Sequence, residues 1–175
     1  MECFDLSGLW QCDVPGQRAT VRLPGTLDEN GVGHPDAGTN QWHPDESGNA
    51  VLQSAGVIAT RLTRRFTYEG PASFSRALRW TPPQGKRVFL ECERSRCLSL
   101  RVNGAPVPPF VEPSLSTPHV FEVTGLLTGD DLLTLVCDNS YPGWPREDIV
   151  YSSAATDETQ TNWNGLLGYL RLRVE

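Results

Sequence analysis

The stretch "SFSRALRW", residues 73–80, alternates between two sets of side chains. In an extended chain, Phe74, Arg76, Leu78 and Trp80 fall on one face and the intervening residues fall on the other. This period of two, with three large apolar residues on one side, is typical of a β-strand that packs one face against a core. The stretch therefore predicts a strand within a half-buried sheet.

The same alternation recurs along the chain, with turn sequences such as "PPQGK", "NGAP" and "TGDD" between the runs. Glycine, proline, asparagine and aspartate at these points favour tight turns. No long helical period occurs, so an α/β fold is disfavoured. Many short strands separated by turns predict an all-β fold, a sandwich or jelly roll. The predicted strands are 9–14, 19–24, 60–68, 73–80, 86–93, 98–104, 119–124, 132–139 and 166–174.

Length and charge exclude several classes of function. The 175 residues suggest a single domain, residues 1–175, with long loops. The net charge is -6 and no basic stripe is present, so nucleic acid is not an expected partner. No run approaches the roughly 20 apolar residues of a membrane span. The N-terminus carries no visible signal peptide, and we expect a cytoplasmic location.

The number and positions of the cysteines are typical of a protein in a reducing compartment. There are five of them, an odd number that disfavours a complete disulfide framework. Cys12, Cys92 and Cys137 lie inside apolar runs and are interpreted as small buried hydrophobic residues. A zinc site is the alternative, but no CxxC occurs and the three histidines are scattered. We therefore expect no metal and no cofactor.

Two long irregular segments interrupt the strands, at about 25–59 and about 140–165. Loops longer than about 12–15 residues are usually functional or disordered. Both segments contain tryptophan and other polar or aromatic residues, whereas disordered segments are typically poor in aromatics. We expect them to be ordered and to pack over one end of the sandwich, as binding loops often do.

Several motifs, taken in order, point to a known family. They are "DLSGLWQCDV", "LPGTLDENG", "LTRRFTYEGPASFSRAL", "GKRVFLECERSRCLSLRVNG", "PHVFEVTGLL", "LLTLVCDNSY" and "TDETQTNWNGLLGYLRL". Together they resemble the N-terminal sugar-binding domain of glycoside hydrolase family 2, the β-galactosidase and β-glucuronidase group. The resemblance covers nearly the whole chain and implies a jelly-roll β-sandwich of the galactose-binding-domain-like type.

The resemblance also implies that the catalytic residues lie elsewhere. In the family this domain is followed by an immunoglobulin-like domain and a TIM barrel, and the barrel holds the two catalytic carboxylates. A barrel takes about 250 residues, so this chain cannot hold one. We expect no catalytic residue here, no hydrolysis by the chain alone, and a role as the N-terminal fragment of a larger glycosidase.

The segment before the last predicted strand, "TDETQTNWNG" (156–165), carries the chemistry of a sugar contact. Sugar binders use planar amides and carboxylates for hydroxyl groups and an aromatic ring for the C–H face. The resemblance implies an acidic residue at a position that here is Thr159, so its transfer to the neighbouring Asp157 is inexact. The candidate substrate-binding residues are Asp157, Gln160, Asn162, Trp163 and Asn164.

Four of the five candidates also have a plain structural interpretation. Asp157 could cap a turn, Trp163 could be a core residue under the loop, and Asn162 and Asn164 could form turns. In "GTLDENG", Asp28 and Asn30 are open to the same choice between turn and substrate rim.

The long segments also carry aromatic residues. Trp42, Tyr141 and Trp144 are expected to pack on neighbouring domains and, with Trp163, to form an apolar patch.

Three functions are compatible with these residues. The first is an accessory domain of a family 2 glycosidase that contacts carbohydrate weakly on its own. The second is a free-standing carbohydrate-binding module, and the third is a structural domain whose loops only pack on partner domains.

Overall fold

The computed structural model describes residues 2–35, 66–111, 117–140 and 163–175. These residues contain β-strands and turns, and no helix occurs among them. The strands are β1 (Glu2–Asp5), β2 (Gly8–Val14), β3 (Gln17–Leu23), β4 (Gly25–Thr26), β5 (His34–Pro35), β6 (Phe66–Thr67), β7 (Pro71–Leu78), β8 (Val88–Arg94), β9 (Leu98–Val102), β10 (Ala105–Val107), β11 (His119–Glu122), β12 (Asp131–Asp138) and β13 (Gly165–Val174).

The strands form two main antiparallel sheets that enclose one core. The five-stranded sheet has the order β1-β13-β8-β11, and β4 adds to one end of β13. The six-stranded sheet has the order β10-β9-β12-β7-β2-β3, and β5 pairs with β6 separately. The predicted all-β sandwich is confirmed, and its jelly-roll connectivity stays a prediction. No helix in the described ranges is long and apolar enough to cross a membrane.

The core is built from alternate residues of both sheets, as a period of two requires. Phe74 and Leu78 of β7 are buried, which confirms the inward face predicted for residues 73–80. Trp10 is buried beside them and donates its indole N–H to Leu6 O at 3.1 Å. Arg76 lies on the same face as Phe74 and Leu78. Its guanidinium donates to Leu6 O at 2.7 Å and lies 5.8 Å from the Trp10 ring, and these contacts compensate its charge there.

The outer face of the five-stranded sheet carries a second, smaller packed layer. Phe89 is buried there between two guanidinium groups, Arg87 at 4.8 Å and Arg173 at 4.5 Å from its ring centroid. Glu91 accepts from Arg171 Nε at 3.0 Å and from Arg173 Nε at 2.5 Å. This layer explains why β8 is buried on both faces, a pattern more typical of a central strand in a covered sheet.

The cysteines behave as expected. All five are free, with Cys12, Cys92 and Cys137 buried. Burial raises the pKa of the Cys12 thiol to about 11 and that of the Cys92 thiol to about 12. These thiols are protonated at neutral pH and serve as apolar filling. Within the described residues no group of three or more His, Cys, Asp and Glu side chains could hold a metal ion.

Most of the predicted strands are present with small shifts of their ends. Of the predicted strand 60–68, residues 60–65 lie outside the described residues, and β6 covers Phe66–Thr67. Four short strands, β1, β4, β5 and β10, were not predicted. Each has two to four residues, too few for an alternating pattern to be recognised.

Candidate functional site

Two of the motifs that carry the family resemblance lie side by side. The "LPGTLDENG" segment contributes β4, which pairs with the first residues of β13: Thr26 is opposite Gly165. Leu27 N donates to Asn164 O at 2.9 Å and extends the ladder by one bond. A Cβ on Gly165, which has φ +127°, would lie 2.4 Å from Gly25 O. Only glycine permits this approach of two backbones.

The rest of "LPGTLDENG" is a hydrogen-bonded turn. Thr26 Oγ1 accepts from Glu29 N at 3.1 Å and Glu29 Oε2 accepts from Thr26 N at 2.8 Å, a reciprocal capping box. Asn30 Oδ1 accepts from Arg22 N at 2.7 Å, and its Nδ2 donates to Thr26 O at 2.8 Å. The turn interpretation of Asn30 is confirmed.

Asp28 also makes a structural contact, and this contact reaches the end of the first long segment. Its Oδ1 accepts from Phe66 N at 2.8 Å. The pairing of β5 with β6 places Pro35 opposite Phe66, so the residues on either side of segment 36–65 are neighbours. The described residues that flank that segment are therefore held together.

A buried amide cluster lies next to this place. We define the loop-foot cluster as the side chains of Asn139 and Asn164 with the backbone of Tyr68 and Gly70. Asn139 Oδ1 accepts from Gly70 N at 3.0 Å, and its Nδ2 donates to Tyr68 O at 3.0 Å. Asn164 Nδ2 donates to Gly70 O at 2.8 Å and to Asn139 Oδ1 at 3.1 Å.

The two asparagines stand at the ends of the second long segment. Asn139 precedes residues 141–162 and Asn164 follows them, while Tyr68 and Gly70 follow residues 36–65. The loop-foot cluster therefore joins the ends of both long segments. The expectation that both segments pack over one end of the sandwich concerns residues outside the described ranges, but their attachment points are adjacent.

Neighbouring residues support the cluster from the core side. Ser95 Oγ donates to Gly165 O at 3.2 Å, and His119 Nε2 lies 3.0 Å from Ser95 O. Tyr68 Oη donates to Pro71 O at 2.7 Å. Burial raises the pKa of the Tyr68 phenol, and the nearby Asp138 carboxylate adds to this effect. The phenol is therefore neutral at physiological pH.

Of the five candidate substrate-binding residues, the structure describes two. Asp157, Gln160 and Asn162 lie outside the described residues. Trp163 is half-buried at the start of the described C-terminal range. Asn164 is 4% exposed and belongs to the loop-foot cluster.

The Asn164 side chain is only partly used by the cluster. Its amide nitrogen has two acceptors, whereas its buried Oδ1 has no hydrogen-bond partner among the described residues. The contact of Asn164 with substrate, like those of the other four residues, stays a prediction.

The predicted apolar patch of Trp42, Tyr141, Trp144 and Trp163 is largely untested. The first three of these residues lie outside the described ranges, so only the half-buried state of Trp163 is known.

Sequence reasoning missed Asn139 and Gly70. Asn139 ends the run "LLTLVCDN" and resembles an ordinary turn residue. Its partners Gly70 and Asn164 are 69 and 25 positions away in sequence, so no local pattern could reveal the cluster.

No protein-family model matches the chain, and no curated protein matches it. Among solved structures, it is similar to an FMN-binding β-glucuronidase from Faecalibacterium prausnitzii L2-6, with 18% identity and a TM-score of 0.58, over 98% of this chain and 22% of that one. It is also similar to a β-D-glucuronidase from Dictyoglomus thermophilum, with 12% identity and a TM-score of 0.56, over 99% and 28% respectively.

A third similar structure is a GH2 β-galacturonidase from Eisenbergiella tayi bound to galacturonate, with 18% identity and a TM-score of 0.55, over 99% of this chain and 24% of that one. The chain thus spans roughly a quarter of the length of each of these three glycosidases. At these identities the likeness is one of fold. The resemblance to the sandwich domain of glycoside hydrolase family 2 enzymes is confirmed at that level.

Proposed function

We propose that the chain is the non-catalytic N-terminal domain of a family 2 glycoside hydrolase, a jelly-roll sandwich whose long segments contribute to the rim of the sugar site. One observation carries this proposal. Nearly the whole chain matches the fold of enzymes named as glycosidases, while it covers only 22% to 28% of them in the three cases above. The catalytic carboxylates, the immunoglobulin-like domain and the TIM barrel would belong to the rest of the polypeptide.

The arrangement of the described residues supports a rim role. The described residues that flank segments 36–65 and 141–162 are adjacent, and both segments are rich in polar and aromatic residues. The five candidate residues lie in or directly after the second stretch. Trp163 is half-buried there and would cover the C–H face of a sugar, while the amides and the Asp157 carboxylate would bind hydroxyl groups.

Enzyme assays test the proposal directly. The 175-residue chain and the longest reading frame that contains it would be purified and assayed with aryl β-glucuronides, β-galactosides and β-galacturonides. We expect hydrolysis by the longer polypeptide and none by the 175-residue chain. In the longer polypeptide, Asp157→Asn and Trp163→Ala should reduce kcat/KM, while Asp130→Asn, an exposed residue at the opposite end of β12 from Asn139, should not. A reading frame that encodes no further domain would refute the proposal.

A free-standing carbohydrate-binding module is the second candidate, favoured by the incomplete burial of Trp163. The two candidates differ in affinity. A rim contact of two or three hydrogen bonds, each worth roughly 0.5–1.5 kcal/mol, and one ring contact of about 1 kcal/mol falls near the 4.1 kcal/mol of a 1 mM complex. The accessory domain should therefore bind free sugars at millimolar concentration or more weakly. Micromolar binding that Trp163→Ala abolishes would favour the module.

A further inference from the structure

We infer that Asn139 and Asn164 are positioning residues that couple the described chain ends beside the two long segments, 36–65 and 141–162. The inference rests on the proposed function only for the use of those segments as a sugar rim. The coupling itself follows from the contacts of the loop-foot cluster.

The first connection joins the backbone at Tyr68 and Gly70, after segment 36–65, to the side chain of Asn139, before segment 141–162. The Asn139 side chain bonds the backbone on both sides of Glu69: it donates to Tyr68 O and accepts from Gly70 N. This two-point contact fixes the orientation of the amide plane. It also fixes the position of the backbone that leads out of β6 toward β7.

The second connection closes the other end of segment 141–162. Asn164 donates one amide hydrogen to Asn139 Oδ1 and the other to Gly70 O. Asn139 and Asn164, on either side of segment 141–162, are thereby bonded to each other, and both are bonded to Gly70, which follows β6. Asn164 also accepts from Leu27 N through its backbone, and the capping-box turn that begins there leads to β5, where segment 36–65 starts.

These bonds need amide side chains. Asn139 has to donate and accept at once, and Asn164 has to donate twice, which an aspartate or an aliphatic side chain cannot do. Both residues are nearly inaccessible, with exposed fractions of 3% and 4%, so water cannot easily replace a lost partner. These hydrogen bonds are not part of the strand ladders. Asn139 follows β12, Gly70 precedes β7 and Asn164 precedes β13, so none of the three belongs to a paired strand.

Amide hydrogen exchange of the 175-residue chain, measured by NMR without sugar, tests the coupling. The variant is Asn164→Ala, at the foot of segment 141–162. The reporters are the N–H groups of Gly70 and Phe66 at the foot of segment 36–65. Val123 N–H, which donates to Val88 O at 2.9 Å, is the remote reference. We expect exchange at Gly70 and Phe66 to become about tenfold faster relative to Val123, because one buried hydrogen bond of about 1.4 kcal/mol corresponds to that factor.

Asn103→Ala is the matched control. Asn103 also makes two amide bonds, donating to Asp131 Oδ1 and accepting from Leu132 N, but it lies at the β9–β10 turn. This variant should leave the amide exchange rates of Gly70 and Phe66 unchanged relative to that of Val123. If Asn164→Ala does not fold, Asn139→Asp keeps the acceptor, loses the donor to Tyr68 O, and should also raise both relative rates. Exchange at Phe66 that follows Val123 in every variant would overturn the inference. Because no sugar is present, that failure would leave the proposed function untouched.

Discussion

Glu91 of β8 binds Arg173 of β13 diagonally, because the residue paired directly with Glu91 is Arg171, and the Glu91 side chain is only 8% exposed. The carboxylate also binds Arg171, so the guanidinium groups of two residues share one acceptor. Removing one partner of a buried pair costs about 3–5 kcal/mol, because the other charge is left buried without compensation. The pair therefore ties the last strand of the sandwich to its neighbour much more strongly than an exposed pair would.

Glu91→Ala should lower the free energy of unfolding by about 2 kcal/mol, since Arg171 and Arg173 lose their shared carboxylate while Arg173 keeps its ion pair with Glu175. The control is Asp13→Ala, which breaks the exposed Asp13–Arg18 pair and should cost less than about 1 kcal/mol. Urea denaturation of both variants provides the measurement. Equal midpoints would contradict the structural role of Glu91.

Gly165→Ala should destabilise the chain by about 3 kcal/mol or more, because a methyl group would collide with Gly25 O and the backbone at φ +127° disfavours any other residue. Gly16→Ala is the matched variant: its φ is +80°, but no atom lies within 4 Å of the added Cβ. That change should cost about 1–2 kcal/mol from the backbone alone. Thermal melts compare the two, and a smaller loss for Gly165→Ala than for Gly16→Ala would refute the close approach.

Asp131 should make the chain sensitive to acid. Its burial raises the carboxyl pKa, but hydrogen bonds from Asn103, Thr128 and Gly129 outweigh burial and hold the pKa below its usual value. Because the folded-state pKa is the lower one, its contribution to stability is complete above the unfolded pKa of about 3.9 and is lost as pH falls through the folded pKa.

Melting temperatures from pH 6 to pH 2 test this sign. The wild-type chain should lose stability below about pH 4. Asp131→Asn should be less stable at neutral pH and should show a shallower decline toward low pH. A variant curve parallel to that of the wild type would show that Asp131 does not contribute to the acid transition.

The five thiols should fall into two kinetic classes. Cys3 and Cys97 are exposed and should react with a disulfide reagent in the native state. Cys12, Cys92 and Cys137 are buried, and their raised pKa values keep the thiolate fraction small, so they should react only after unfolding. Mass spectrometry of the chain treated with and without denaturant measures how many thiols are modified in each state. Rapid native modification of a third thiol would contradict the described core.

The alternation of side chains was sufficient to predict the sandwich, and the inward position of Phe74 and Leu78 followed from the period alone. Asn139 could not be identified in the same way. Its partners come from distant positions in the sequence and are brought near only by the fold, and an isolated asparagine after a strand has many possible roles. The turn in "LPGTLDENG" was predictable because a capping box is local, whereas the contact of that turn with β13 is not.

The placement of β1 beside β13 has a consequence for how the chain acquires its shape during synthesis. Glu2 pairs with Val174, so the first strand finds its partner only after about 170 further residues have been translated. Until β13 has been made, β8 has only β11 as a neighbour, and one of its two edges stays unpaired. Such long-range pairing slows folding and prolongs the exposure of unpaired strands. A nascent chain stalled before residue 165 should therefore depend on chaperones more than the completed one.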